Sequence, residues 1–250
     1  ALLVSAMVHD VDHPGVMNGF LVATEHPLAS RYEGRSVLEK HHLATALALL
    51  DAPETDFAAS ALPPAQQAEF RQAMSDLVLA TDVTTHLQFM KDFEMSVAQQ
   101  RVSALQAMKV MMKAADISNP TRPLPVYAKW VGGVMREFFA QGDAERVLGL
   151  PISMNCDRHS VDANKCQVGF ISFIVEPIYV GLAAFVPRVR DECVPSLEAN
   201  KVHYAAAAEE VAQAEAAKAT PAAAPAAATS PVSVASVEAK SVGAGSTQGA

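Results

Sequence analysis

Apolar positions along this chain recur at helical spacing nearly throughout. Ala1 to Val8 is almost wholly apolar and predicts a buried helix over residues 1–9. Asn18 to Pro27 is a short amphipathic turn or helix, which His26-Pro27 should end. Ser36, with Glu39 three residues on, has the form of a capping box. It opens a helix to Leu50, with Leu43, Leu47 and Leu50 on one stripe. Pro63-Pro64 stands where a missing N–H costs little, so a helix starts there, with Phe70, Met74, Leu77 and Val78 on its inner face. Further helices are expected over 85–97 and 102–115, the second ending before Pro120. A long one follows over 125–141, with Trp130, Val134 and Phe138 four apart and Gly142 placed to end it.

Residues 151–162 form a loop. A helix pair, 163–175 and 178–185, should break at Pro177, and a last amphipathic helix spans 187–204. No segment alternates with period two, so the fold is read as all-α, one domain over 1–204. From Ala205 the chain becomes rich in Ala, Pro and Ser. Residues 205–218 can extend a helix. The rest buries too little surface to offset chain entropy and is expected to be a disordered, low-complexity tail over 205–250.

Composition narrows the partners. Net charge is −8 with no basic run, which speaks against nucleic acid. Cys156, Cys166 and Cys193 are odd in number and irregularly spaced, fitting a reducing, cytoplasmic compartment. The apolar stretch from Gly169 to Phe185 is interrupted by Glu176-Pro177, and its halves are too short to span a bilayer, so no membrane span is expected. The chain begins inside an apolar helix without an initiator Met, so it reads as part of a longer protein.

Chemistry concentrates at His9-Asp10-Val11-Asp12-His13-Pro14-Gly15, with two imidazoles and two carboxylates where a helix must stop. His N and Asp O both ligate Zn²⁺. A second polar cluster, Asp116-Ile117-Ser118-Asn119-Pro120, follows a Met-rich helix, and Asp116 is either a turn residue or a group facing a polar site. A third, Cys166-Gln167-Val168-Gly169-Phe170, sets a glutamine among apolar neighbours. His26, His86 and His203 read as surface or capping residues, Asp12 and Asp82 as groups at helix ends, and His42 as either a core hydrogen-bonder or a neighbour of the site.

These stretches, with Ser36-Val37-Leu38-Glu39-Lys40-His41-His42, Leu79-Ala80-Thr81-Asp82, Glu137-Phe138-Phe139-Ala140-Gln141-Gly142-Asp143 and Cys156-Asp157-Arg158, resemble in order the catalytic domain of class I cyclic nucleotide phosphodiesterases. The resemblance covers about residues 1–200. It implies a compact all-α domain that hydrolyses 3′,5′-cyclic nucleotides, cAMP, cGMP or both, to 5′-nucleotides and so terminates a signal.

It implies a Zn²⁺ on His9, Asp10, Asp116 and an upstream histidine, and a bridged Mg²⁺ or Mn²⁺. The waters of that second ion would be held by His13, Glu39, Thr81 and, on one reading, His42. Gln167 would read the purine edge, Phe170 and Val134 would sandwich the base, and Phe138, Asn119, Tyr127 and Trp130 would complete the pocket. The family's HNxxHA motif, which carries its general acid, is absent, so no catalytic acid is assigned and this piece alone is expected to be inactive. Regulatory domains are expected upstream. Met154-Asn155 replaces the Pro-Met or Pro-Leu common in the family at a loop bordering the purine pocket. Two alternatives stay open. One is a subunit that binds nucleotide without turnover. The other is a different HD-type phosphohydrolase, against which Gln167-Val168-Gly169-Phe170 argues.

Overall fold

A computed structural model describes residues 1–219, and among them every regular element is helical. The tail beyond Ala219, expected to be disordered, lies outside the described residues. The order is α1 (Leu2–Val8), α2 (Asn18–Ala23), α3 (Pro27–Arg31), α4 (Val37–Asp51), α5 (Phe57–Ala61), α6 (Pro64–Leu79), α7 (His86–Ala98), α8 (Ala104–Asp116), α9 (Leu124–Leu148), α10 (Ala163–Phe170), α11 (Glu176–Ala183), α12 (Pro187–Glu192) and α13 (Val194–Ala219).

Three apolar clusters hold the bundle. The largest joins Met90 and Phe93 of α7, Val110 and Ala114 of α8, Tyr127, Val131 and Met135 of α9, Ile178 and Leu182 of α11, and Leu197 and Tyr204 of α13. A second packs Leu21, Ala29, Val37 and Leu38 from α2, α3 and α4. A third sets Ala46 and Leu50 of α4 against Met74 of α6, with Val4 and Val8 of α1 alongside.

Several local expectations are corrected. Only Ser5 of α1 is buried, and Leu3 and Met7 face out, so the first helix is not a core helix. His26-Pro27 begins α3 rather than ending α2: the His26 ring accepts from the Leu28 N–H, and Pro27 sits where no N–H is needed. Ser36 stands before α4 but makes no capping bond. It has a left-handed backbone, and its hydroxyl donates to Asp82 Oδ2 at 2.6 Å. The Leu38 N–H is taken instead by Asn18 Oδ1, 20 residues back. A capping box does form, at Ser103 and Gln106.

Gly142 does not end α9. The helix runs on to Leu148 and is closed by Gly149 at φ 69°. Gly142 serves close packing, because a Cβ there would fall 1.9 Å from the Cys156 carbonyl oxygen. Pro177 does not break its helix either. A π turn over Ile171–Val175 sends the Glu176 N–H back to Ile171 O, and Pro177 enters the first turn of α11, where its missing N–H is harmless. Ala163–Ala183 is therefore one run of 21 residues, long and apolar enough to cross a membrane. Its Ile171, Val175 and Ile178 are fully buried in the largest cluster. The last expected helix is divided at Cys193, and its second part continues through Ala208, which is buried, to Ala219. His86 is a core residue, not a surface one.

Candidate metal and nucleotide site

The end of α1 delivers His9. Its Nδ1 donates to Ala6 O at 3.0 Å, which turns Nε2 toward Asp10 Oδ2 at 3.3 Å and Asp116 Oδ1 at 3.1 Å. One ligand atom from each of the three residues lies within 4.8 Å of the others. This brings together side chains 106 positions apart, because α8 ends beside α1. Burial pulls the imidazole pKa down, but hydrogen bonds and charges from Asp10 and Asp116 outweigh it and raise the value to about 10. The same contact with His9 holds Asp10 below the usual carboxylate range. A ring that takes a proton so readily between two carboxylates marks a place where positive charge is favoured. An imidazole nitrogen fixed by a backbone carbonyl, together with two carboxylate oxygens, is a donor set that fits Zn²⁺.

The turn after α1 is tightly coiled. Asp12 and Gly15 take left-handed backbones, φ 62° and 76°, and the Gly15 N–H donates to His13 Nδ1 at 3.0 Å. That bond puts the neutral ring's proton on Nε2. His13 stacks on His42, ring centres 5.5 Å apart. His42 is buried, donates from Nδ1 to Val11 O at 2.8 Å and places Nε2 3.8 Å from Asp10 Oδ1. Burial is the main cause of its lowered pKa. Asp12 points away to His41, 2.8 Å from its Nε2.

Glu39 accepts from Asn18 Nδ2 at 3.0 and 3.3 Å, and burial is the main cause of its raised pKa. Thr81 donates its hydroxyl to Val78 O at 2.7 Å, and no direct bond joins it to the three clustered residues. Asp82 accepts from Ser36, the Thr84 N–H and the Thr84 hydroxyl, so it caps the turn that leads into α7.

A cavity of about 730 Å³ opens between this cluster and α9 and α10. Asp10, His13 and Asp116 line it, together with Gln167, Phe170 and Phe138. Asn119, Val134 and Trp130 lie along it. Asn119 is set there by a short turn, whose Pro120 and Arg122 carbonyls both accept from Asn200 Nδ2 at 2.8 Å. Trp130 is largely exposed at the rim.

Tyr127 was expected on the wall and is instead fully buried behind it. Its hydroxyl donates to Gln167 Oε1 at 2.7 Å, so it orients the glutamine rather than touching a ligand. Sequence reasoning gave no part to several other lining residues, the polar ones being Ser118, Arg122, Glu137 and Cys166, and it placed Asn155 only on a loop bordering the pocket. Glu137 and Cys166 lay inside quoted motifs without an assigned part. Asn155, at φ 65°, accepts from the Cys166 thiol at 3.3 Å.

The loop that carries Asn155 is pinned to α9. Gln141 accepts from the Met17 N–H at 2.8 Å and donates to Glu145 and Ser153, and Glu145 accepts from the Ser153 N–H at 2.7 Å. Arg158 grips Asp143 with two bonds.

Residues 1–195 match the family described as 3′5′-cyclic nucleotide phosphodiesterase. The chain is 39% identical over 214 residues to isoform F of a 3′,5′-cyclic-AMP phosphodiesterase of Drosophila melanogaster, covering 81% of this chain and 32% of that one. It is 38% identical over 216 residues to the 3′,5′-cyclic-AMP phosphodiesterase 4C of Mus musculus, covering 82% and 31%. It is also 38% identical over 222 residues to a probable 3′,5′-cyclic-AMP phosphodiesterase of Caenorhabditis elegans, covering 84% and 33%. The chain thus spans about a third of the length of these curated relatives. With matched motifs over most of its length, an all-helical fold and relatives of this kind, the chain belongs to the 3′,5′-cyclic nucleotide phosphodiesterase family.

Proposed function

We propose that this chain carries the metal and purine sites for hydrolysis of cyclic AMP to 5′-AMP. The observation that supports this best is a single cavity lined both by Asp10 and Asp116, which cluster with His9, and by Gln167 with Phe170. A cyclic nucleotide joins an anionic phosphodiester to an aromatic base, so the two groups of lining residues match it in chemistry. His9, Asp10 and Asp116 would hold a Zn²⁺, and Asp10 would also serve a second ion, Mg²⁺ or Mn²⁺. Such ions supply an activated water and neutralise the phosphate oxygens.

The chain's own residues then do the rest. The His13 ring, with its proton on Nε2, can donate to a phosphate oxygen or a water in the cavity. Phe170 and Val134 give the base an apolar slot that excludes water. Gln167, held by Tyr127, presents its amide in one orientation. Adenine and guanine present opposite donor and acceptor patterns, so a fixed amide favours one of them. The cyclic-AMP names of the relatives indicate adenine. In hydrolysis a water oxygen bonds to phosphorus and the P–O3′ bond breaks, and the departing O3′ takes a proton. Termination of a cyclic-AMP signal and a cytoplasmic setting belong to the same proposal.

A second reading is favoured by one feature. The sequence lacks the HNxxHA motif that, by the resemblance, would give the departing O3′ its proton, which suits a chain that binds nucleotide without turning it over. The test is metal analysis of the purified chain and of Asp116→Ala, with binding of 5′-AMP and hydrolysis of cAMP measured on the same samples. Bound Zn²⁺ that falls in Asp116→Ala is expected. An unchanged metal content removes the site, and AMP binding without hydrolysis selects the second reading.

A further inference from the structure

The last helix, α13, contributes no lining residue to the cavity, yet it stands behind two amides that do line it, Asn119 and Gln167. Leu197, Asn200, Tyr204 and Ala208 recur three and four apart and are all buried, so one stripe of α13 is turned inward. That stripe carries two polar groups. Asn200 is 2% exposed, and a side-chain amide so deeply buried must be paired. Its Nδ2 donates to Pro120 O and Arg122 O, both at 2.8 Å. Inside that turn the Thr121 N–H and hydroxyl go to Ser118 O, and the Arg122 N–H goes to Asn119 O. The turn's own bonds thus leave the Pro120 and Arg122 carbonyls to α13. Asn119 and Arg122 flank the buried Pro120-Thr121 pair, and both line the cavity. One helical turn on from Asn200, the Tyr204 ring stands edge-on to Tyr127, centres 5.4 Å apart and planes at 78°. Tyr127 in turn holds Gln167 through its hydroxyl. α13 also packs on α10, the helix that carries Gln167.

We infer that Asn200 and Tyr204 are positioning residues for base recognition: Asn200 fixes the turn that carries Asn119, and Tyr204 fixes the Tyr127–Gln167 pair. The seating of α13 then sets affinity and selectivity for the base and leaves the His9, Asp10 and Asp116 cluster untouched. This inference rests on the purine reading above. The physical reason is the cost of a buried carbonyl without a partner. A turn that loses Asn200 lowers that cost by moving, and it takes Asn119 and Arg122 with it. A ring removed at 204 leaves a gap into which Tyr127 can tilt, and Gln167 loses its fixed orientation.

The test titrates 5′-AMP and 5′-GMP into the chain and into Asn200→Ala, Tyr204→Leu and Tyr204→Phe, well below each melting temperature, with Zn²⁺ content measured on the same samples. Asn200→Ala should bind 5′-AMP about tenfold more weakly. Tyr204→Leu should narrow the preference between the two nucleotides about threefold, and Tyr204→Phe, which keeps the ring, should match the parent. Zn²⁺ content should stay at the parent's level in all three. A merely structural role lowers Tm but leaves the folded protein's affinity and preference unchanged, and that result overturns the inference for the residue concerned. Zn²⁺ content that falls along with nucleotide affinity overturns it too, because the damage is then general. Should Asn200→Ala or Tyr204→Leu not fold, Asn200→Ser or Tyr204→Met takes its place, and failure of the replacement to fold makes the role structural and overturns the inference. A parent chain that binds no 5′-AMP sinks the purine reading itself, and this inference with it.

Discussion

Replacing Gly142 with alanine sets two effects against each other inside α9. Helix propensity favours alanine by about 1 kcal/mol, so a reading of the helix alone expects stabilisation. The packing says otherwise. The added Cβ would lie 1.9 Å from the Cys156 carbonyl oxygen and 2.6 Å from its carbon. An ordinary carbon–oxygen contact is about 3.3 Å, so the two backbones must separate by roughly 1.4 Å. Neither can yield easily. The helix is fixed along its length, and the loop is held by Ser153 to Glu145 at 2.7 Å and by the buried Cys156 itself. Overpacking costs about 1–3 kcal/mol, and a backbone obstacle belongs at the top of that range. Net of propensity, Gly142→Ala should lose about 2 kcal/mol. That lowers Tm by about 4–8 °C for a domain of this size. Gly133, in the same helix, has nothing within 4 Å of the Cβ position. Gly133→Ala should therefore raise Tm by about 2–4 °C. Asn155 adjoins Cys156 and lines the cavity, so affinity for 5′-AMP should fall in Gly142→Ala and not in Gly133→Ala. A Gly142→Ala melt at or above the parent's would refute the packing argument.

Three other outcomes follow from the same geometry. Tyr127→Phe removes the bond that fixes Gln167, worth about 1–1.5 kcal/mol, so discrimination between cAMP and cGMP should fall about five- to tenfold in binding or turnover, and an unchanged ratio would leave the amide locked by something else. In metal-free protein the folded pKa of His9, about 10, lies above its ordinary 6.5, so its contribution is full below about pH 6.5 and is lost as pH rises through 10; His9→Gln should flatten the fall of Tm across that window in EDTA, and parallel curves would dismiss the ion pair. Ser103→Ala should cost about 1 kcal/mol in urea unfolding through its capping box, and a midpoint identical to the parent's would show that the cap is idle.

Much of this architecture could be read from spacing alone. Apolar positions three and four apart located α4, α6, α8 and α9, and the proline pair at 63–64 fixed where α6 starts. Those are local effects, settled by side chains within one or two turns. The motifs that resemble the phosphodiesterases named residues that line one cavity, among them Asp10, His13, Asp116, Gln167 and Phe170.

What failed in the sequence reading depended on partners far along the chain. Ser36 has the form of a cap, yet Asp82, 46 positions on, takes its hydroxyl. Gly142 looks like a stop, yet the approach of the Cys156 backbone requires it inside a continuing helix. Pro177 looks like a break, yet one wider turn beforehand removes the clash. Tyr127 looks like a pocket wall, yet the rotation of α9 turns it inward onto Gln167. Sequence fixes which local conformations are cheap and which atoms are on offer. Packing decides which distant atom reaches each of them first, because the energy of a buried polar group depends on what stands within a few ångströms of it.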